Sequence, residues 1–216
     1  MTVPDTPPDL PEFMTWEEFE QLPDEVADQI ELWEGRVVWV RRGSGEHQLF
    51  TVRMRNAIEN SVRKSMADRP ETCWRVNVET NVFLGATGKS DFLTPDFLVY
   101  RCLETPFQDV RAADTLLVGE VLSPSNTRSD MEAKKSRYAA AGISWYWEVT
   151  LAHTESAIAT VRAYALETKH GVLPPGVRPL RPANYLIAGE WTASDEDGIR
   201  ILFPFPIEIP WSELAY

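Results

Sequence analysis

With 216 residues and an ordinary balance of apolar and charged side chains, the chain can build one domain with a sizeable core, and two domains would be cramped. Its formal net charge of −12 disfavours loose, sequence-independent adhesion to nucleic acid. No apolar run approaches a membrane span, and the N-terminus lacks the basic-then-apolar pattern of a secretory signal. A cytoplasmic protein with no membrane association is therefore expected. Cys73 and Cys102 lack metal-ligand spacing and are expected as reduced thiols. Residues 1–12, with Pro4, Pro7, Pro8 and Pro11, are predicted to be a disordered arm, and 13–216 a single domain.

Thr15 to Glu18 is a capping box, so a short helix should start there and stop before Pro23. Ile30 to Val40 predicts a hairpin turning at Glu34-Gly35, followed by a basic loop from Arg41 to Gly45. From Glu46 to about Ala67 the pattern is helical, with Phe50, Met54, Ala57, Ile58 and Ser61 on one face. Strands are predicted over Cys73–Leu84, Thr94–Tyr100 and Thr115–Ser123, with a loop from Arg101 to Asp114. Ser129 and Glu132 form a second capping box, opening a helix that Gly142 closes. SWYWEVTL and Ser156–Leu166 read as a hairpin, GVLPPGVRPLRP as a long excursion, and Tyr185–Thr192 and Ile199–Ile209 as terminal strands before a helical turn at Trp211–Leu214. This order implies an α/β sheet of mixed direction.

Two apolar runs each carry one acid where a buried strand would normally have none: Asp96 in TPDFLVY and Glu120 in LLVGEVL. An unpaired carboxylate is costly to remove from water, so two of them beside a lysine point to a bound cation or to polar chemistry.

The text IELWEGRVV, His47 at the start of the long helix, TPDFLVY, GEVLSPSNTRSDMEAKKSRYAAAGISWYW and the hairpin after it resembles the Uma2 family of endonucleases, also called DUF820. The resemblance covers roughly residues 14–166, and EVLSPS, D-x-x-x-K-x-x-x-Y and G-x-x-x-YW together make it specific. It implies an α/β (α+β), restriction endonuclease-like mixed sheet flanked by helices, of the PD-(D/E)XK type. An N-terminal helix–hairpin and a C-terminal β extension would be added to that core. It further implies that Asp96 and Glu120 hold Mg²⁺, with Mn²⁺ as a substitute, and that a lysine positions water or stabilises the phosphate. The substrate would be DNA and the protein a homodimer. In the general motif the lysine lies two residues after the second acid, where this chain has Leu122. Asp130, Lys134 and Tyr138 share a helix face at four-residue steps, which makes Lys134 the substitute. Lys135, about 100° away, is the second choice.

Glu31 by alternation belongs to the solvated side of its hairpin, yet it matches the family's E-L-x-x-G run and is an accessory candidate, as are His47 and Tyr138. His47 by position alone is a helix-start or surface residue. Arg41, Arg42, Arg53, Arg55, Lys135 and Arg137 are the candidates for contact with a nucleic-acid backbone. The runner-up is a catalytically inactive dimeric scaffold with a nuclease fold, motivated by Leu122 and the net charge. A carboxylate-pair hydrolase of sugars is a third option, and no sugar cleft is marked in the sequence.

Overall fold

The computed structural model describes residues 9–40, 43–122, 126–170 and 175–215. The remainder of the expected arm, Arg41, Arg42, Ser123, Ser125 and part of the proline-rich excursion lie outside the described residues. In chain order the elements are α1 (Trp16–Phe19), α2 (Asp24–Ala27), β1 (Ile30–Trp33), β2 (Arg36–Trp39), α3 (Gly45–Asp68), β3 (Trp74–Val78), β4 (Val82–Phe83), β5 (Phe92–Leu93), β6 (Phe97–Arg101) and β7 (Val110–Arg111). They continue with β8 (Thr115–Leu122), α4 (Arg128–Ala140), β9 (Trp145–Leu151), β10 (Ile158–Glu167), β11 (Asn184–Thr192), β12 (Ile199–Ile201), β13 (Ile207–Ile209) and α5 (Trp211–Leu214). No described helix is long and apolar enough to cross a membrane.

Among the described residues the strands form three sheets rather than the one expected. Six make the main sheet in the order β11-β10-β9-β8-β6-β3, five make a second in the order β2-β1-β5-β4-β7, and β12 pairs with β13 alone. Within the main sheet β8 and β9 are parallel, with α4 as the crossover, and the other pairs are antiparallel. The mixed direction is as expected.

Side chains alternate across this sheet, and each face has its own cover. Leu117, Val121, Trp147 and Val149 pack with Phe50, Met54, Ala57 and Ile58 of α3 and with the β12–β13 hairpin. Leu98, Val118 and Tyr146 pack with Tyr138 of α4 and with Val82 and Leu93 of the five-stranded sheet. The latter face carries the acids. Gly119 has no side chain because a Cβ there would lie 2.0 Å from Cζ of Phe97, which crosses over it.

Three local expectations are corrected. Cys73–Leu84 is not one strand: Glu79 adopts φ 44°, and the chain leaves the main sheet after β3 to enter the second as β4. The 101–114 segment, expected as a loop, contributes β7 and a 3-10 turn at Ala112–Asp114. The cap of α4 is Thr127, whose hydroxyl accepts the Asp130 N–H, so the helix begins before the Ser129 box.

Cys73 and Cys102 are disulfide-bonded, not free thiols. Trp74 stands opposite Arg101, so the two cysteines face each other one step beyond the paired ends of β3 and β6. The two cysteines are separated by 29 positions in the sequence. Cys73→Ser is expected to cost about 2–4 kcal/mol, read as a lower urea midpoint relative to the oxidised wild type.

Candidate active site

β8 is buried along nearly its whole length, so a carboxylate on it needs partners. Glu120 is 5% exposed and faces α4. The β6–β8 register pairs Phe97 with Gly119 and Leu98 with Val118; one further step sets Asp96 opposite Glu120. On the other side Glu120 is level with Glu148 of β9. Two sequence-distant acids thus share one face because neighbouring strands are in register.

α4 supplies the counter-charge. Lys134 Nζ lies 3.1 and 3.3 Å from the two carboxylate oxygens of Glu120 and 3.0 Å from Glu31 Oε1. One turn later the Tyr138 hydroxyl donates to Glu120 Oε1 at 2.7 Å. Glu31 arrives from the second sheet and is fully buried, accepting from the Thr94 N–H at 3.0 Å and the Trp33 indole at 2.9 Å. Its expected place on a solvated hairpin face is therefore corrected. β1 is covered on both sides, by the aromatic cluster around Phe92 and by α4, so alternation does not divide it into wet and dry halves.

Asp96 uses one oxygen for two donors. Its Oδ2 accepts the Val121 N–H at 2.5 Å and lies 3.1 Å from Nε2 of His47, while Oδ1 meets no protein donor among the described residues. His47 is buried, which corrects its expected place as a surface residue: the first turn of α3 tucks under the end of the main sheet.

The electrostatics follow from burial. Desolvation and the neighbouring charges of Asp96 and Glu31 push the Glu120 carboxyl up to about 7 against the pull of Lys134 and Tyr138. Burial alone would lower Lys134, but Glu120, Glu31 and Asp96 outweigh it and raise the ammonium above its ordinary value. Lys134 is therefore held as its ammonium. For His47, burial again pulls down, and the hydrogen bond and charge of Asp96, with Glu120 and Glu79 behind it, win and raise it.

A second lysine–carboxylate set adjoins the first. Lys135 Nζ lies 3.2 Å from Glu148 and 3.0 Å from Glu132, above the ring of Tyr164. Glu148 stands opposite Arg162, which is opposite and bonded to Glu190. A charged row thus runs from Asp96, just before β6, through Glu120, Glu148 and Arg162 to Glu190 on β8, β9, β10 and β11. Glu148 and Arg162 were not picked out from the sequence, although Glu148 in WYWEVTL carries the same signal as Glu120: one acid in an apolar run. The described basic candidates are engaged within the chain. Arg53 bonds the Leu214 carbonyl, Arg55 pairs with Glu59, Lys135 with Glu148, and Arg137 with Asp91.

Two buried carboxylates, Glu31 and Glu120, and the largely buried Asp96 gather about one lysine, and with Glu120 ionised the cluster keeps an excess of negative charge even when His47 is charged. That excess and the uncommitted Oδ1 of Asp96 suit a cation. No group of three or more His, Cys, Asp or Glu among the described residues is arranged to hold a metal by itself. A cation here would rest on Asp96 and Glu120 and complete its shell with water and substrate oxygen, as Mg²⁺ does.

The family model described as "Uma2: Putative restriction endonuclease" matches residues 16–179. Among solved structures, the chain is similar to one described as a "putative nuclease belonging to DUF820" from Anabaena variabilis ATCC 29413. The TM-score is 0.56 at 16% identity, covering 93% of this chain and 97% of that one. At that identity the likeness speaks for the fold. No curated protein matches.

Proposed function

Because the chain belongs to the Uma2 family, we propose that it is a divalent-cation-dependent endonuclease hydrolysing DNA phosphodiester bonds. The observation that carries this is the convergence of Glu120 and Asp96 with a largely buried, charged Lys134 on one spot of the main sheet. Asp96 and Glu120 would hold the cation, Mg²⁺ or Mn²⁺, which when bound polarises a phosphodiester oxygen and lowers the pKa of an attacking water. Lys134, kept protonated by three acids, stabilises the charge that develops on the phosphate as the bond to the leaving oxygen lengthens. Glu31 and Tyr138 hold the ammonium and the Glu120 carboxylate in place, so these groups need little reorganisation during the reaction. The family reading also supports a homodimer, which would set one centre against each strand of a duplex.

A second reading is favoured by Lys134 contacting both oxygens of Glu120: a self-satisfied ion cluster in a non-catalytic dimeric scaffold. Supercoiled plasmid incubated with Mn²⁺ separates the two. The nuclease converts it to nicked and linear forms, is stopped by EDTA, and is inactive as Asp96→Asn; the scaffold leaves the plasmid supercoiled under every condition.

A further inference from the structure

His47 is held from three directions. Its N–H caps onto Ser44 Oγ at 3.3 Å, fixing the first turn of α3. Gly43 lies against the imidazole so closely that a Cβ would sit 2.1 Å from both Cγ and Nδ1. Nε2 lies 3.1 Å from Asp96 Oδ2. The carboxylate can only accept there, so Nε2 carries the proton.

A histidine buried for packing alone would satisfy both ring nitrogens. Here Nδ1 is buried and has no partner among the described residues, where the ring's one hydrogen bond goes to Asp96. The Cβ–Cγ torsion of an aspartate is soft and roughly two-fold, so either oxygen could turn toward a ligand. Two donors, His47 Nε2–H and the Val121 N–H, converge on Oδ2 and remove that freedom. Oδ1 is then the oxygen that faces away from the protein donors.

We propose that His47 is a positioning residue that, clamped by Gly43, fixes Asp96 so that Oδ1 is presented to the cation. The proposal rests on the endonuclease reading. It assigns no proton transfer to His47; the side chain acts through the orientation of Asp96, as partners of metal-ligating carboxylates do.

Calorimetric titration with MnCl₂ tests it on four proteins: the wild type, His47→Leu, His47→Gln and Gly43→Ala, each with its circular-dichroism melt. His47→Leu is expected to weaken Mn²⁺ binding about 10–100-fold. His47→Gln, whose amide nitrogen falls near the position of Nε2, restores most of the affinity. Gly43→Ala behaves like the leucine variant, because the added methyl displaces the ring. Wild-type affinity in His47→Leu overturns the proposal, as does equal weakness of the glutamine and leucine variants with native melts. If the leucine variant does not fold, the pair of His47→Gln and Gly43→Ala decides, and wild-type affinity in Gly43→Ala overturns it. No saturable binding by the wild type overturns this proposal and the endonuclease reading together. Wild-type binding with an unaffected His47→Leu overturns this proposal alone.

Discussion

Lys134→Ala is expected to destabilise the metal-free protein by about 3–5 kcal/mol, the usual consequence of removing one partner from a buried ion pair. Lys134 is 12% exposed at its side chain and lies within 3.1 Å of carboxylates from two different sheets, Glu31 and Glu120. Without the ammonium, two nearly inaccessible acids and Asp96 face one another with no cation between them. Adding Mn²⁺ should return much of the lost stability, because a cation bound to the native state alone shifts the folding equilibrium. Cleavage should nonetheless fall by about 10²–10³-fold, the typical effect of losing one electrostatic stabiliser of a transition state. Urea unfolding with and without Mn²⁺, beside a plasmid assay, measures both. A variant as stable as the wild type, or fully active, contradicts the role given to Lys134.

Glu120→Gln should separate the two effects. Glutamine keeps the volume, and its carbonyl oxygen can still accept from Tyr138 and Lys134. Its NH2 replaces the weaker Lys134 contact at 3.3 Å and Glu31 still pairs the ammonium, so the melting transition should fall far less than in Lys134→Ala. One of the two cation-holding carboxylates is gone, however, and Mn²⁺ affinity and cleavage should both collapse, cleavage by at least about 10²-fold. Lys134→Ala thus harms stability and chemistry, and Glu120→Gln chiefly chemistry. A Glu120→Gln protein that still cuts plasmid would remove Glu120 from the centre.

The parts of this fold legible in the sequence are those with a local cause. The turn at Glu34-Gly35, both residues at positive φ, the apolar stripe of α3, and the β9–β10 hairpin are written in neighbouring residues. Asp96 and Glu120 stand out because each interrupts an apolar run, and Lys134 and Tyr138 because they are one turn apart on α4. What was not legible depends on which strands become neighbours. Glu31 reads as solvated until α4 and the second sheet close over it. The Cys73–Cys102 bond depends on the β3–β6 register, and the buried place of His47 on where α3 meets the end of β6. Glu148 could have been found by the criterion that found Glu120, since both are single acids in apolar strands and the parallel β8–β9 register sets them level.

The most direct test is crystallographic: crystals grown with MnCl₂, with data collected at the manganese absorption edge. The arrangement of Asp96, Glu120 and Lys134 predicts an anomalous peak in contact with Glu120 and with Oδ1 of Asp96. A peak at neither acid, or a manganese-free cluster at a concentration that saturates binding in solution, would contradict it.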